Sequence, residues 1–84
     1  MSLQNTIREI TALQRAVRDQ IALINDFKKS NRDSIQLVQT ELKGSAKGYD
    51  QMMLTALSQT EQSLQKSLTS LEQAASALDQ VRAI

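Results

Sequence analysis

The sequence predicts an all-α fold: an antiparallel two-helix hairpin that completes a four-helix bundle by dimerisation. Three observations carry this. The chain has no proline, its only two glycines both fall within residues 41–50, "ELKGSAKGYD", and apolar residues recur at alternating spacings of three and four on either side of that stretch. Such spacing places them on one stripe of a helix, at the a and d positions of a heptad. The whole chain reads as one domain.

The first helix is predicted over about residues 3–43. Its stripe runs through Leu3, Ile7, Ile10, Val17, Ile21, Ile24, Ile35, Val38 and Leu42. Gln14, Lys28 and Asn31 interrupt it, and Leu13 and Phe27 widen it by one position. Ser2 or Thr6 suits the N-cap, the latter with Glu9 three residues on as a capping box. Gly44 is placed to end this helix, because glycine enters the left-handed region without the steric penalty of a Cβ.

The turn is predicted at about residues 44–48 and the second helix at about 46–82. Ser45 suits its N-cap, with Asp50 as the rival. Leu54, Leu57, Leu64, Leu68, Leu71, Ala75 and Leu78 form its stripe, with Glu61 and Arg82 as polar interruptions. A short connection makes the two helices antiparallel neighbours. Residue numbers facing each other then add to roughly 92, which sets Asn31 opposite Glu61 and Lys28 one layer away. A polar layer of this kind lowers stability while fixing register. The same seam also serves an opened helix in a domain-swapped dimer, and only the glycines favour the closed hairpin.

Two long arms cannot cover their own sides, and a chain of 84 residues buries a small share of its surface alone. A partner is expected. On the second helix Met53, Ala56, Ala74, Ala77, Val81 and Ile84 form another stripe, echoed more weakly by Ala12, Ala16, Leu23 and Leu37 on the first. This is the candidate partner interface. The competing account is that the alanines are simply good helix formers.

Composition argues against other classes of function. With no His, Cys or Trp, the usual metal ligands, thiol nucleophiles and near-neutral bases are missing, so neither enzymatic activity nor a cofactor is expected. Residues 1–48 carry eight basic and five acidic side chains, and residues 49–84 carry two and four, an asymmetry that supports docking of the arms. Lys28, Lys29 and Arg32 cluster, but Asp26 and Asp33 flank them and few aromatics are present to stack bases, which argues against nucleic acid. No apolar run approaches a membrane span, and the Gln-, Ser- and Thr-rich polar face does not suit membrane-surface binding. No charged region followed by an apolar core opens the chain, so no cleaved signal peptide is expected.

A hairpin of this size without cysteine resembles the WXG100 family of small type VII secretion proteins. Leu42, Lys43 and Gly44 stand where that family has Trp-x-Gly, and "SAKGYDQMMLTALSQTEQSLQKSLTSLEQAASAL" resembles its second helix. The leucine marks the chain as similar to the divergent, WXG100-like members, some of which accompany LXG-type toxins in Gram-positive bacteria. The resemblance implies that Leu42 and Gly44 form the turn motif, with Leu42 filling the cleft at the bend. It implies a homodimer, or a heterodimer with another helical secretion protein or an LXG-type toxin N-terminal region. It further implies cytoplasmic synthesis followed by export to the medium or cell surface without a cleaved signal. The family's export signal, Tyr followed four residues later by Asp or Glu, has no counterpart: Tyr49, read as part of the turn, is followed at that distance by Met53. A partner, or residues beyond Ile84, would then carry it. Two alternatives stand beside this reading, a polymerising needle or rod subunit, which lacks here that family's proline-containing turn, and a generic coiled-coil adaptor.

Overall fold

The computed structural model describes residues 2–44 and 48–83. They form two helices, α1 (Leu3–Glu41) and α2 (Tyr49–Ala83), packed side by side into a rod of 65 × 17 × 14 Å. No residue among those described lies in a strand. The predicted all-α hairpin is what the chain adopts.

Ser2 starts α1. Its backbone is extended and its hydroxyl accepts from the Asn5 amide at 3.1 Å, which satisfies one of the amides a helix leaves unpaired at its start. Thr6 lies inside the helix, so the alternative cap is not used; its hydroxyl donates to the Ser2 carbonyl. At the other end α1 stops two residues before the predicted 43. Leu42 is the C-cap, its φ of −109° and ψ of 11° already outside the helical range while its amide still reaches the Val38 carbonyl at 3.0 Å.

Both glycines take left-handed backbones, φ +77° at Gly44 and +68° at Gly48. Gly44 therefore supplies the turn expected of it, three residues beyond Glu41, the last helical residue. A residue at the φ of Gly48 cannot continue a right-handed helix, and α2 runs from Tyr49, with the Gly48 carbonyl accepting from the Met52 amide. Tyr49 is consequently helical, not part of the turn. Asp50 sits in the first turn of α2, its carboxylate accepting from the Gln51 amide at 2.8 Å. The Ser45 cap and the start at residue 46 lie outside the described residues.

The seam keeps its period. From Ile10 to Val38 and from Asp50 to Leu78, every position at the alternating three and four spacing is buried or half-buried. Cross-helix hydrogen bonds set the register: Lys28 Nζ donates to Gln65 Oε1 at 2.7 Å and Gln14 Nε2 to Asp79 Oδ1 at 2.8 Å. Both pairs fall within one residue of the expected alignment. Leu3 and Ile7 are aligned with positions past Ala83 and stay 77% and 41% exposed. Burial is shallow, as two helices without a third side require. Among the described residues only Val38, Leu68, Gln14 and Asn31 are buried, and none of them is completely shielded from solvent.

The polar middle of the seam is built differently from the expected Asn31–Glu61 contact. Asn31 Nδ2 donates to the Leu57 carbonyl at 2.9 Å, and Glu61 instead meets Arg32 Nε at 3.3 Å. Length and hydration explain the exchange. The short neutral amide satisfies itself against backbone in the seam, whereas the carboxylate turns outward to a cation at the edge, where both keep water.

Candidate functional site

With 10, 14, 17 and their successors as the seam of α1, and 50, 54, 57 and theirs on α2, the remaining positions sort into two long sides. In antiparallel helices the g positions of the two chains flank one side of the seam and the e positions the other. These sides differ sharply in chemistry.

The e side is charged and cross-linked. Arg32 pairs with Glu61, Lys28 with Gln65, and Gln14 both donates to Asp79 and accepts from Arg82 Nη1 at 3.0 Å. Gln14, Arg18, Ala75, Asp79 and Arg82 line a small cleft here, toward the open end of the hairpin. Three of its polar side chains, Gln14, Asp79 and Arg82, are joined by these bonds. The Lys28–Arg32 cluster is likewise engaged across the seam, with two of its three cations bonded to α2 side chains.

The other side, formed by the c and g positions, is uncharged over most of its length. On α2 Met53, Ala56, Ala74, Ala77 and Val81 all lie on it and are exposed, as a single stripe; Ile84 lies outside the described residues. Thr60, Ser63, Ser67 and Ser70 continue that stripe through the middle. They were not legible as part of it because a small hydroxyl side chain leaves no hydropathy signal; their positions, one before each seam residue, identify them. On α1 the same side carries Leu13, Leu23, Phe27 and Leu37, each more than half exposed. Ala16 also lies on it, whereas Ala12 faces away. The two stripes meet in one surface: Phe27, Ser30 and Ser34 of α1 and Thr60 and Leu64 of α2 line a common open groove.

At the bend, Val38, Gln39, Lys43, Asp50 and Leu54 line a shallow cleft. Leu42 sits at the C-cap, 37% exposed, and Lys43 is the motif residue that lines the cleft. Gly44 has open space where a Cβ would project, so its glycine is required by backbone angle and not by crowding.

Among the described residues no group of three or more acidic, His or Cys side chains is placed to hold a metal ion, and no helix is long and apolar enough to cross a membrane. The fold and this surface define a class: an elongated antiparallel helical hairpin with one charged, internally bonded side and one uncharged, open side. Compared with known proteins, the chain matches no family model, no curated protein and no solved structure.

Proposed function

We propose that the protein is a non-enzymatic, bundle-forming factor of the WXG100-like type VII secretion class, which binds a helical partner through its uncharged side. The observation that carries the docking part is the continuous stripe from Met53 to Val81, exposed and free of charge on a hairpin that buries few side chains of its own. Burying apolar and small residues against partner helices, with the charged edges selecting among partners, is the recognition mode this surface suits. The secretion part rests on the resemblance: a hairpin of this size with Leu42, Lys43 and Gly44 at its bend. The expected partner is another small helical secretion protein or the helical N-terminal region of an LXG-type toxin, met in the cytoplasm before export.

Affinity purification of the tagged chain from its native cells, followed by mass spectrometry, tests this. Recovery of such a partner in stoichiometric amount is the expected result, and Leu42→Asp should reduce it. Recovery of this chain alone would overturn the secretion reading. A second reading has one observation in its favour: Leu3 and Ile7, 77% and 41% exposed, offer an apolar contact for end-to-end assembly. Concentration-dependent filaments seen by electron microscopy would select it.

A further inference from the structure

We infer that the charged side carries, toward the open end of the hairpin, an arginine site for an acidic helix of another protein. The site lies across the seam from the uncharged side and does not depend on docking there.

Four of the chain's five arginines meet at this place, whereas no lysine falls within residues 1–27 or 67–84. Arg8 and Arg15 occupy b positions of α1, on the outer flank of the e row, and Arg18 occupies the e row itself. Arg82 comes from α2 and lines the same cleft as Arg18. All four are exposed. Gln14, only 7% exposed, accepts from Arg82 Nη1 at 3.0 Å, so this guanidinium is oriented in advance while its other nitrogens stay available. The one acid at an e or b position within these levels, Asp79, is turned to Gln14 Nε2 at 2.8 Å. Among the described residues no ion pair engages any of the four arginines.

Spacing names the occupant. Gln14 with Asp79 and Lys28 with Gln65 are bonded pairs whose residue numbers both add to 93, which puts Arg82 level with Thr11. The arginines then stand at levels 8, 11, 15 and 18 along α1, in steps of three, four and three residues. At the rise of an α-helix these steps are about 4.5, 6 and 4.5 Å. Acidic residues at i, i+3, i+7 and i+10 of a second helix share one stripe at the same intervals. Each carboxylate then meets a guanidinium, whose planar fork donates two parallel hydrogen bonds as an ammonium cannot. Within either helix of this chain no two acids are closer than seven residues, so a second copy does not supply that stripe. The chain's two aromatic residues, Phe27 and Tyr49, both fall outside the patch, which leaves nothing there to stack on a nucleic-acid base. Exposed ion pairs are individually weak and screened by salt, so the site selects and orients its partner more than it adds affinity.

The purified full-length chain and two fluorescent peptides test this. Both peptides are alanine-based helices held by a hydrocarbon cross-link and carry four glutamates, in one at i, i+3, i+7 and i+10 and in the other spread over different faces. At low salt, fluorescence anisotropy should show the first binding at least about tenfold more tightly than the second, and salt at about 0.5 M should remove most of that difference. Arg15→Gln combined with Arg18→Gln, at exposed positions that leave the helix content unchanged by circular dichroism, should weaken the first peptide by at least about tenfold. Lys29→Gln combined with Lys66→Gln removes the same charge elsewhere and should not. Equal binding of the two peptides, or equal loss in the two double variants, would mean that net charge alone acts and would overturn the proposal. So would the absence of binding, and so would tighter binding of duplex DNA or of phosphatidylglycerol vesicles than of the first peptide, which would assign the arginines to phosphates. The comparison of peptides uses the native chain and decides the matter even if a variant fails to fold.

Discussion

Asn31 donates its amide to a carbonyl, that of Leu57, which lies inside α2 where the helical ladder already supplies a partner. Removing the amide therefore strands no buried acceptor, and a leucine at the same seam position adds apolar area where the neighbours are Leu57 and Leu64. Asn31→Leu is expected to stabilise the protein by about 1 kcal/mol, a rise of several degrees in Tm for a chain of this size, with looser alignment of the helices as the cost. Thermal melts followed by circular dichroism check the first effect; a fall in Tm would show that the hydrogen bond outweighs the burial. The glycines argue in the opposite direction. Gly44 and Gly48 have left-handed backbones and open space around the missing Cβ, so the penalty for alanine is conformational alone. Each Gly→Ala change should cost roughly 1 kcal/mol, and Gly44→Asn less, because asparagine tolerates the left-handed region. Urea titrations with an unchanged m-value are the measurement.

Each helix depends on one shallow seam, so contributions along it are uneven. Leu68, 7% exposed, is the best-buried leucine of α2 among the described residues, and Leu68→Ala should cost about 2–3 kcal/mol. Arg32→Ala should cost below about 0.5 kcal/mol, because the ion pair with Glu61 is exposed and its members keep their hydration. Denaturant midpoints of the two variants, compared side by side, check the contrast. This unevenness also accounts for what was readable beforehand. The period of apolar residues at a and d fixes helix identity, pairing and alignment together, so the hairpin and its register were legible from Ile10, Val17 or Leu64 alone with their neighbours. The helix ends were less so, since Gly44 and Gly48 sit on either side of the connection and spacing does not say which is the end of one helix and which the start of the next. Spacing sets Asn31 in the seam but does not find its partner, the Leu57 carbonyl, because spacing fixes the level of a side chain and not its reach. The uncharged side was legible at Met53, Ala56, Ala74, Ala77 and Val81, and hidden at Thr60, Ser63, Ser67 and Ser70.

The molecule as a whole is extended. Its radius of gyration is 19.0 Å, against about 12 Å for a compact chain of equal length, so surface that a globular domain would bury stays in contact with water. A lone hairpin of this shape gains little from burial to set against the entropy of ordering two long helices. Pairing through the Leu23 and Phe27 side would cover half-exposed apolar residues only in the folded state, and association of that kind adds to apparent stability by mass action. The Tm should therefore climb as protein concentration is raised from the low micromolar to the high micromolar range. Ser67→Lys, which sets a charge on that side, should flatten this dependence and lower the Tm at high concentration while leaving the dilute value near that of the native chain. Circular dichroism melts in cells of different path length make the measurement with one sample series. A concentration-independent Tm in the native chain would mean that the seam between α1 and α2 suffices by itself, and that the open side contributes to binding without contributing to folding.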